Sequence, residues 1–202
     1  MKTNYQLETD KCIASLPAPR RPTLLLHSCC GPCSSYVLEY LTRYFDVTVL
    51  YYNPNVQPEA EYEKRLHYQR EVLKHIPAQL MECAYDGPAF DAAARGYEAE
   101  PEGGARCTRC FQLRLEETAR RASEHGFDWF CTTLTVSPHK DAERINRLGR
   151  ETGARFGVRW LPSDFKKRDG YLRSIRLSEE YGLYRQDWCG CKYSHAPQGK
   201  TE

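Results

Sequence analysis

TLLLHSCCGPCSSYVLEYL, residues 23–41, is the stretch that decides the fold. Its apolar beginning, residues 23–28, predicts a short buried strand that stops at a turn containing Gly31 and Pro32. Apolar residues at helical spacing then predict a helix over residues 34–44. The stretch therefore predicts a strand, a loop and a helix, with three cysteines in the loop.

The rest of the chain continues this alternation. Strands are predicted at residues 47–52, 78–84, 127–136 and 158–161, and helices at residues 59–75, 108–125 and 139–152. Strands that alternate with helices of ten or more residues are typical of βαβ units. We therefore expect an α/β fold, a single domain with a mainly parallel sheet and helices on both faces. A glycine-rich, acidic stretch at residues 96–106 predicts a mobile loop that leads to Cys107.

Length and charge set limits on the class of protein. The chain has 202 residues, enough for one sizeable core, and its net charge of +2 is too small to indicate nucleic acid by itself. It shows no apolar stretch of secretory or membrane-spanning length, so we expect a cytoplasmic protein with no membrane partner. The ends, residues 1–20 and 194–202, are expected to be poorly ordered.

Basic residues gather late in the chain. They are Lys166, Lys167, Arg168, Arg173, Arg176 and Arg185. Such a run is either a solvated helix face or a phosphate-binding surface, and the sequence leaves both interpretations open.

Cysteine is the most informative residue type. Seven of the ten cysteines fall into three groups, namely Cys29, Cys30 and Cys33, then Cys107 and Cys110, then Cys189 and Cys191. In a reducing cytosol, grouped cysteines indicate a metal centre or dithiol chemistry rather than a disulfide scaffold. The isolated Cys12, Cys83 and Cys131 carry no such signal, and Cys83 and Cys131 are expected to pack in or beside the core.

The first group lies after the first predicted strand, where open α/β sheets bind their ligands. Three thiols within five residues argue against simple apolar packing. The Cys30-Gly31-Pro32-Cys33 spacing also resembles a thioredoxin-type redox pair, although that interpretation leaves Cys29 and the second group unexplained.

The second group, Cys107-x-x-Cys110, is predicted at the start of a helix, where both sulfurs can bind one metal. Together with the first group it supplies enough thiolates for a tetrahedral zinc or an iron–sulfur cluster. The position beside the expected ligand-binding loop favours a reactive cluster over a structural zinc. Cys189 and Cys191, two residues apart, could form only a strained disulfide, which is typical of redox-active pairs.

Five motifs together resemble the QueH family of cobalamin-independent epoxyqueuosine reductases. The matching segments are residues 26–34 (LHSCCGPCS), 52–55 (YNPN), 106–115 (RCTRCFQLRL), 132–140 (TTLTVSPHK) and 170–194, which includes GYLRS and YRQDWCGCKYS. Several long motifs in one order are far more specific than a single C-x-x-C spacing. The resemblance covers residues 22–195, so it implies an N-terminal extension at 1–21, a reductase domain and a C-terminal tail at 196–202.

The resemblance implies the last step of queuosine biosynthesis, the two-electron deoxygenation of epoxyqueuosine at the tRNA wobble position, with an external electron donor. It also implies a fold like the adenine-nucleotide α-hydrolase group. Its [4Fe-4S] cluster ligands would be Cys29, Cys30, Cys107 and Cys110. Cys33 would bind an adjacent single iron, and Cys189 with Cys191 would form the redox-active disulfide.

Other functions stay open at this point. One is a zinc-stabilised RNA-binding module, and another is a PP-loop-like, ATP-dependent tRNA-modifying enzyme, although the cysteine loop lacks the glycine-rich serine pattern that cradles a pyrophosphate. In a reductase, Tyr52, His139 or Lys140 could protonate the leaving oxygen. Residues 166–185, which mix basic and aromatic side chains, could contact the anticodon loop.

Overall fold

The structure, a computed structural model, describes residues 3–17 and 19–194. Five strands form one sheet in the order β3-β2-β1-β4-β5, and every neighbouring pair is parallel. The strands are β1 (Thr23–His27), β2 (Asp46–Tyr51), β3 (Gln79–Glu82), β4 (Trp129–Thr132) and β5 (Arg159–Trp160). The predicted α/β fold with a parallel sheet is confirmed. The expected C-terminal tail at residues 196–202 lies outside the described residues.

Helices cover both faces of this sheet. They are α1 (Tyr5–Ala14), α2 (Gly31–Leu41), α3 (Glu59–His75), α4 (Gly87–Ala94), α5 (Ala105–Glu124), α6 (Ala142–Phe156) and α7 (Gly170–Glu180). Alternate residues of β1 point to opposite layers, because side chains of a strand alternate between faces. Leu24 and Leu26 pack with α2 and α3, whereas Leu25 packs with α5 and α6. None of the helices in the described part of the chain combines the length and apolar character needed to cross a bilayer.

The strand order creates a topological switch point between β1 and β4. From β1 the chain runs outward through β2 and β3, and it then returns to the other side of β1 to form β4 and β5. Ligands of open α/β sheets bind at such points, beyond the carboxyl ends of the strands. Here the cysteine loop leaves β1 next to the end of β4, and the Cys29 amide donates to Thr133 Oγ1 at 3.2 Å.

Several segments differ from expectation, and helices α4 and α7 were not predicted. Residues 127–136 do not form one strand, since β4 ends at Thr132 and a short 3₁₀ helix, Thr133–Val136, follows. The Thr132 hydroxyl accepts the Leu134 amide at 3.2 Å, which caps this helix and stops the strand. The expectation of poor order is also wrong for α1, because the Thr9 hydroxyl is fully buried and donates to the Pro162 carbonyl at 2.7 Å.

The acidic loop before α5 is held in place rather than free. The Arg106 guanidinium is buried and donates to the carbonyl oxygens of Tyr97, Glu98 and Glu100. Arg144 of α6 donates to the Gly103 carbonyl from the other side. The loop thereby presents Cys107 in a fixed position, where the sequence predicts a mobile segment.

Candidate metal and dithiol site

The loop between β1 and α2 and the first turn of α2, together called the cysteine loop, bring three cysteine sulfurs together, with Cys33 already in the helix. The Sγ atoms of Cys29, Cys30 and Cys33 lie within 4.8 Å of one another, and those of Cys29 and Cys30 are 3.8 Å apart. A tetrahedral metal ion with thiolate ligands at about 2.3 Å places its sulfurs roughly 3.8 Å apart. The spacing and the thiolate chemistry of this cysteine loop therefore fit a bound metal ion.

The cysteine loop keeps this shape because it packs tightly on α3. A Cβ at Gly31 would lie 2.6 Å from the Tyr68 carbonyl oxygen, so a larger residue does not fit there. The hydroxyls of Ser28 and Ser34 both donate to Gln69 Oε1, at 2.6 and 2.9 Å. Backbone and side-chain contacts from α3 thus hold both ends of the loop.

The three thiols of the loop differ in acidity. Hydrogen bonds from the Cys30 and Cys33 thiols lower the pKa of Cys29 well below its usual range. The same hydrogen bonds, together with burial, raise the pKa of Cys30 and of Cys33. Cys29 is therefore the most acidic thiol of the metal-free group, and binding of a metal to the three sulfurs would release the protons that they still carry.

The second group lies on the first turns of α5. Cys107 and Cys110 are both buried, and the Gly103 amide donates to Cys107 Sγ at 3.2 Å. Burial raises the pKa of Cys110 to about 11. Cys107 belongs to the same apolar cluster as Cys29, whereas Cys110 belongs to a cluster with Cys191. Helix α5 thus places its two sulfurs between the cysteine loop and the third group.

The third group is the dithiol turn, residues 189–191, in the segment after α7. Both of its cysteines are free thiols, so the structure does not contain the expected disulfide. A hydrogen bond from the Cys191 thiol and the nearby charge of Lys140 lower the pKa of Cys189 well below its usual range. Lys140 Nζ donates to Cys189 Sγ at 3.5 Å. Cys189 is therefore the thiolate of the pair.

Three contacts dock this dithiol turn against the rest of the site. Gln186 Nε2 donates to Cys30 Sγ at 2.7 Å, and the Arg65 guanidinium donates to the Cys189 carbonyl at 3.2 Å. The backbone N–H of Gln57 donates to the Gly190 carbonyl at 2.9 Å. Gly190 has a φ of +97°, and its α-carbon faces the Arg65 guanidinium so closely that a Cβ would lie 2.8 Å from Nη1. The turn therefore requires glycine at its centre.

Buried cations surround the sulfurs. Arg65 and Arg114 are only 3% and 2% exposed, and the Lys140 side chain is 14% exposed. Arg65 pairs with Glu61 at 2.7 Å and Lys140 with Glu102 at 3.5 Å. Buried charges are unfavourable unless they are paired, so three cations in one place indicate a site that holds negative charge. Clustered thiolates carry such charge.

A family model described as epoxyqueuosine reductase QueH matches residues 24–197. The chain belongs to the QueH family. Its relatives named epoxyqueuosine reductase QueH include a protein of Streptococcus pyogenes serotype M1, 44% identical over 89% of this chain and 72% of the relative. Another, from Staphylococcus epidermidis, is 42% identical over 98% of this chain and 87% of the relative. A third, from Thermotoga maritima, is 36% identical over 85% of this chain and 90% of the relative.

Solved structures of other proteins share the fold of this QueH family member. The U34-tRNA thiolase NcsA from Methanococcus maripaludis, solved with its [4Fe-4S] cluster, matches 95% of this chain and 68% of its own at a TM-score of 0.52. NMN synthetase from Francisella tularensis matches 94% of this chain and 77% of its own at a TM-score of 0.51. Both are 12% identical, so the likeness concerns the fold, which is the predicted adenine-nucleotide α-hydrolase type.

The basic residues at 166–185 carry less unpaired positive charge than the sequence indicates. Ion pairs of 2.5 to 2.6 Å join Lys166 to Asp164, Arg168 to Asp10 and Arg173 to Glu39. These three cations are offset by local carboxylates, which favours the solvated-face interpretation for them. Lys167 and Arg176 form no ion pair with the described residues.

Contacts link the three cysteine groups, since Cys107 packs in one cluster with Cys29, Cys110 packs with Cys191, and Gln186 contacts Cys30. Cys131 is buried in the core as expected. Of the three proton-donor candidates, Lys140 lies against a site sulfur and His139 is exposed. The sequence analysis missed Arg65, Arg114 and Gln186. Arg114 had one available signal, since it lies four residues after Cys110 and hence on the same helix face.

Proposed function

We propose that the protein reduces epoxyqueuosine to queuosine at the wobble position of tRNA. The observation that carries the proposal is that three cysteine sulfurs lie within 4.8 Å of one another at the switch point of a QueH family chain, with Cys107 in the same apolar cluster as Cys29 and the segment of the dithiol turn joined to Cys30 through Gln186. The reaction breaks both bonds from the epoxide oxygen to carbon, consumes two electrons and two protons, and forms a carbon–carbon double bond and water. Because tRNA is present in the cytoplasm, we also propose that the protein is cytoplasmic.

We assign a [4Fe-4S] cluster to Cys29, Cys30, Cys107 and Cys110, and a single adjacent iron to Cys33. When bound, such iron supplies single electrons and a Lewis acid for the epoxide oxygen. The fit rests on the donor set, which is all thiolate, and on the buried cations beside it. Cys33 lies within 4.8 Å of Cys29 and Cys30, so an iron bound to Cys33 would be adjacent to the cluster. Residues 22–195 form the reductase domain in this proposal.

The dithiol turn supplies electrons in pairs. Oxidation of the Cys189 thiolate and the Cys191 thiol to a disulfide releases two electrons and one proton; the electrons match the demand of one epoxide reduction, and the second proton comes from solvent. An external electron donor then reduces the disulfide. The hydrogen bond from the Cys191 thiol and the charge of Lys140 lower the pKa of Cys189, which favours the thiolate, the form that exchanges with disulfides.

The first experiment measures metal and activity together. Anaerobically purified protein is expected to be brown, to bleach with dithionite, to contain more than four irons per chain and to convert epoxyqueuosine in tRNA to queuosine, as detected by mass spectrometry of the nucleosides. Cys29→Ser and Cys107→Ser should lose iron and activity. Cys12→Ser, which changes a cysteine on remote α1, is the matched control and should keep both. A colourless protein that holds zinc would contradict the proposal and favour a zinc-stabilised RNA-binding module.

A second experiment isolates the dithiol turn. The double variant Cys189→Ser, Cys191→Ser should complete a first turnover with a pre-reduced metal centre but lose repeated turnover with a protein reductant. Repeated turnover at the wild-type rate with both chemical and protein reductants would remove the electron-relay role.

The tRNA contact can be tested by salt titration. Affinity for tRNA should fall as salt rises, and each lost phosphate contact should reduce the magnitude of the logarithmic slope by roughly 0.7 to 0.9. Lys167→Gln and Arg176→Gln remove two exposed cations that lack an ion pair within the described structure, while Arg168→Gln removes one paired with Asp10. An unchanged slope in the first two variants would locate the RNA contact elsewhere.

A further inference from the structure

Arg114 is a buried cation with a free donor. It lies on α5 four residues after Cys110 and is 2% exposed. Its Nε donates to the Cys110 carbonyl at 3.2 Å, whereas its Nη2 is buried without a hydrogen-bond partner among the described residues. A buried guanidinium N–H that lacks an acceptor is unfavourable, so the position of Arg114 requires an acceptor that the protein atoms do not provide.

The surroundings of Arg114 identify the kind of acceptor. Its charge interacts with one cysteine from each of the three groups, namely Cys29, Cys110 and Cys189. Its other recorded contact is with the ring of Phe111, whose centroid is 5.6 Å away. The guanidinium therefore lies beside the Cys110 carbonyl and an aromatic ring, and the acidic groups whose charge it feels are cysteines.

The other two buried cations differ from Arg114 in this respect. Arg65 has Glu61 as its ion-pair partner and also donates to backbone carbonyls of the dithiol turn. Lys140 pairs with Glu102 and donates to Cys189 Sγ. Arg114 alone of the three has no carboxylate partner within the described residues and keeps an uncommitted donor.

We propose that Arg114 donates through its free Nη2 to the thiolate-bound metal centre, offsets its negative charge and thereby raises its reduction potential. This inference rests on the proposed function, because it requires iron bound by the cysteines. Reduction adds one electron, and so one negative charge, to a centre that already carries thiolate charge. A fixed cation beside it stabilises the reduced form more than the oxidised form, and the hydrogen bond acts in the same direction.

The experiment compares three variants of the iron-loaded protein. Arg114→Met removes the charge and the donors while keeping a long buried side chain, and Arg114→Lys keeps the charge. Arg121→Met is the matched control, because Arg121 lies on the same helix but pairs with Glu117 away from the sulfurs. Iron per chain is measured first, and the midpoint potential is then measured by dye-mediated spectroscopic titration.

We expect Arg114→Met to shift the one-electron equilibrium at least tenfold toward the oxidised form, which is a midpoint potential lower by about 59 mV. Arg114→Lys should shift it less, and Arg121→Met should match the wild type. An iron-loaded Arg114→Met protein with the wild-type potential would overturn the inference while leaving the proposed function intact. A wild-type protein without iron would instead overturn the proposed function.

A second measurement covers the case in which Arg114→Met does not retain iron. In the iron-free protein Arg114 keeps its bond to the Cys110 carbonyl and its contact with Phe111 but has no carboxylate partner, so Arg114→Met should lower the urea midpoint of the iron-free protein less than Arg65→Met, which also removes the ion pair with Glu61. A loss of stability equal to or greater than that of Arg65→Met would show that Arg114 serves the fold, and it would overturn the inference.

Discussion

Replacing Gly190 by alanine should release the dithiol turn from the site. The new Cβ would lie 2.8, 3.0 and 3.1 Å from Nη1, Cζ and Nη2 of Arg65, well inside the ordinary contact distance of about 3.5 to 4.0 Å. Arg65 has little freedom to move aside, because Glu61 binds it at 2.7 Å and the Trp188 ring lies 5.3 Å from its Cζ. The turn, rather than the arginine, is expected to shift.

The size of the effect follows from two costs. An alanine at a φ of +97° costs about 1 to 3 kcal/mol in backbone strain. Separation of Arg65 from the Cys189 carbonyl removes a hydrogen bond from a charged donor, worth about 1.5 to 3 kcal/mol. Together they reach on the order of 4 kcal/mol, which raises the undocked fraction of the turn by roughly a thousandfold.

Thiol labelling measures this release. Iron-free wild-type and variant proteins are treated with a bulky maleimide, and the labelling rate of Cys189 and Cys191 is followed by peptide mass spectrometry. Gly182→Ala is the matched control, because Gly182 also has a positive φ, +62°, but no atom within 4 Å of its Cβ position. We expect much faster labelling in Gly190→Ala than in Gly182→Ala. Equal rates in the two variants would refute the docking role of the contact between Gly190 and Arg65.

Three further predictions concern acidity and packing. Lys140→Met should raise the pKa of the Cys189 thiol, which shifts the rise of its alkylation rate to a higher pH than in the wild type. An unchanged dependence of the alkylation rate on pH would exclude the charge effect of Lys140. Burial lowers the pKa of His27 from 6.5 to about 4, so the unfolded chain binds a proton more readily than the folded one. The free energy of unfolding, measured by urea titration, should therefore fall on the order of 3 kcal/mol as pH drops from 6.5 to 4. A His27→Gln variant should lose that dependence. Gly149→Ala would place a Cβ 2.3 Å from the Trp160 ring and should lower the free energy of unfolding by about 1 to 3 kcal/mol, whereas an unchanged value would mean that the ring can move.

The sequence predicted those parts of the fold whose causes are local. The apolar run of β1, the turn at Gly31 and Pro32 and the helical spacing of α2 are all encoded within residues 23–41. Helix α1 was not predicted, because its stability depends on a buried hydrogen bond from Thr9 to Pro162, far along the chain. Likewise, the early end of β4 follows from a side-chain cap at Thr132, which a run rich in β-branched residues conceals.

The same division applies to the site. Close spacing in the sequence indicated each cysteine group, and the family resemblance indicated how the groups combine. The contacts of Gln186 with Cys30 and of Arg65 with the Cys189 carbonyl join residues more than 100 positions apart, so no short motif could predict them. Arg114 belongs to the predicted helix of Cys107 and Cys110, but only tertiary packing shows that its charge interacts with cysteines of all three groups.

The dithiol turn is attached to the protein by a few hydrogen bonds. Among the described residues every strand pairing is complete by Trp160, before the chain reaches Cys189, so no sheet ladder holds the turn. Loss of those few hydrogen bonds would expose Cys189 and Cys191 without disturbing the sheet. In the proposed mechanism, a reductant too large to enter the metal site would then have access to the disulfide at the protein surface.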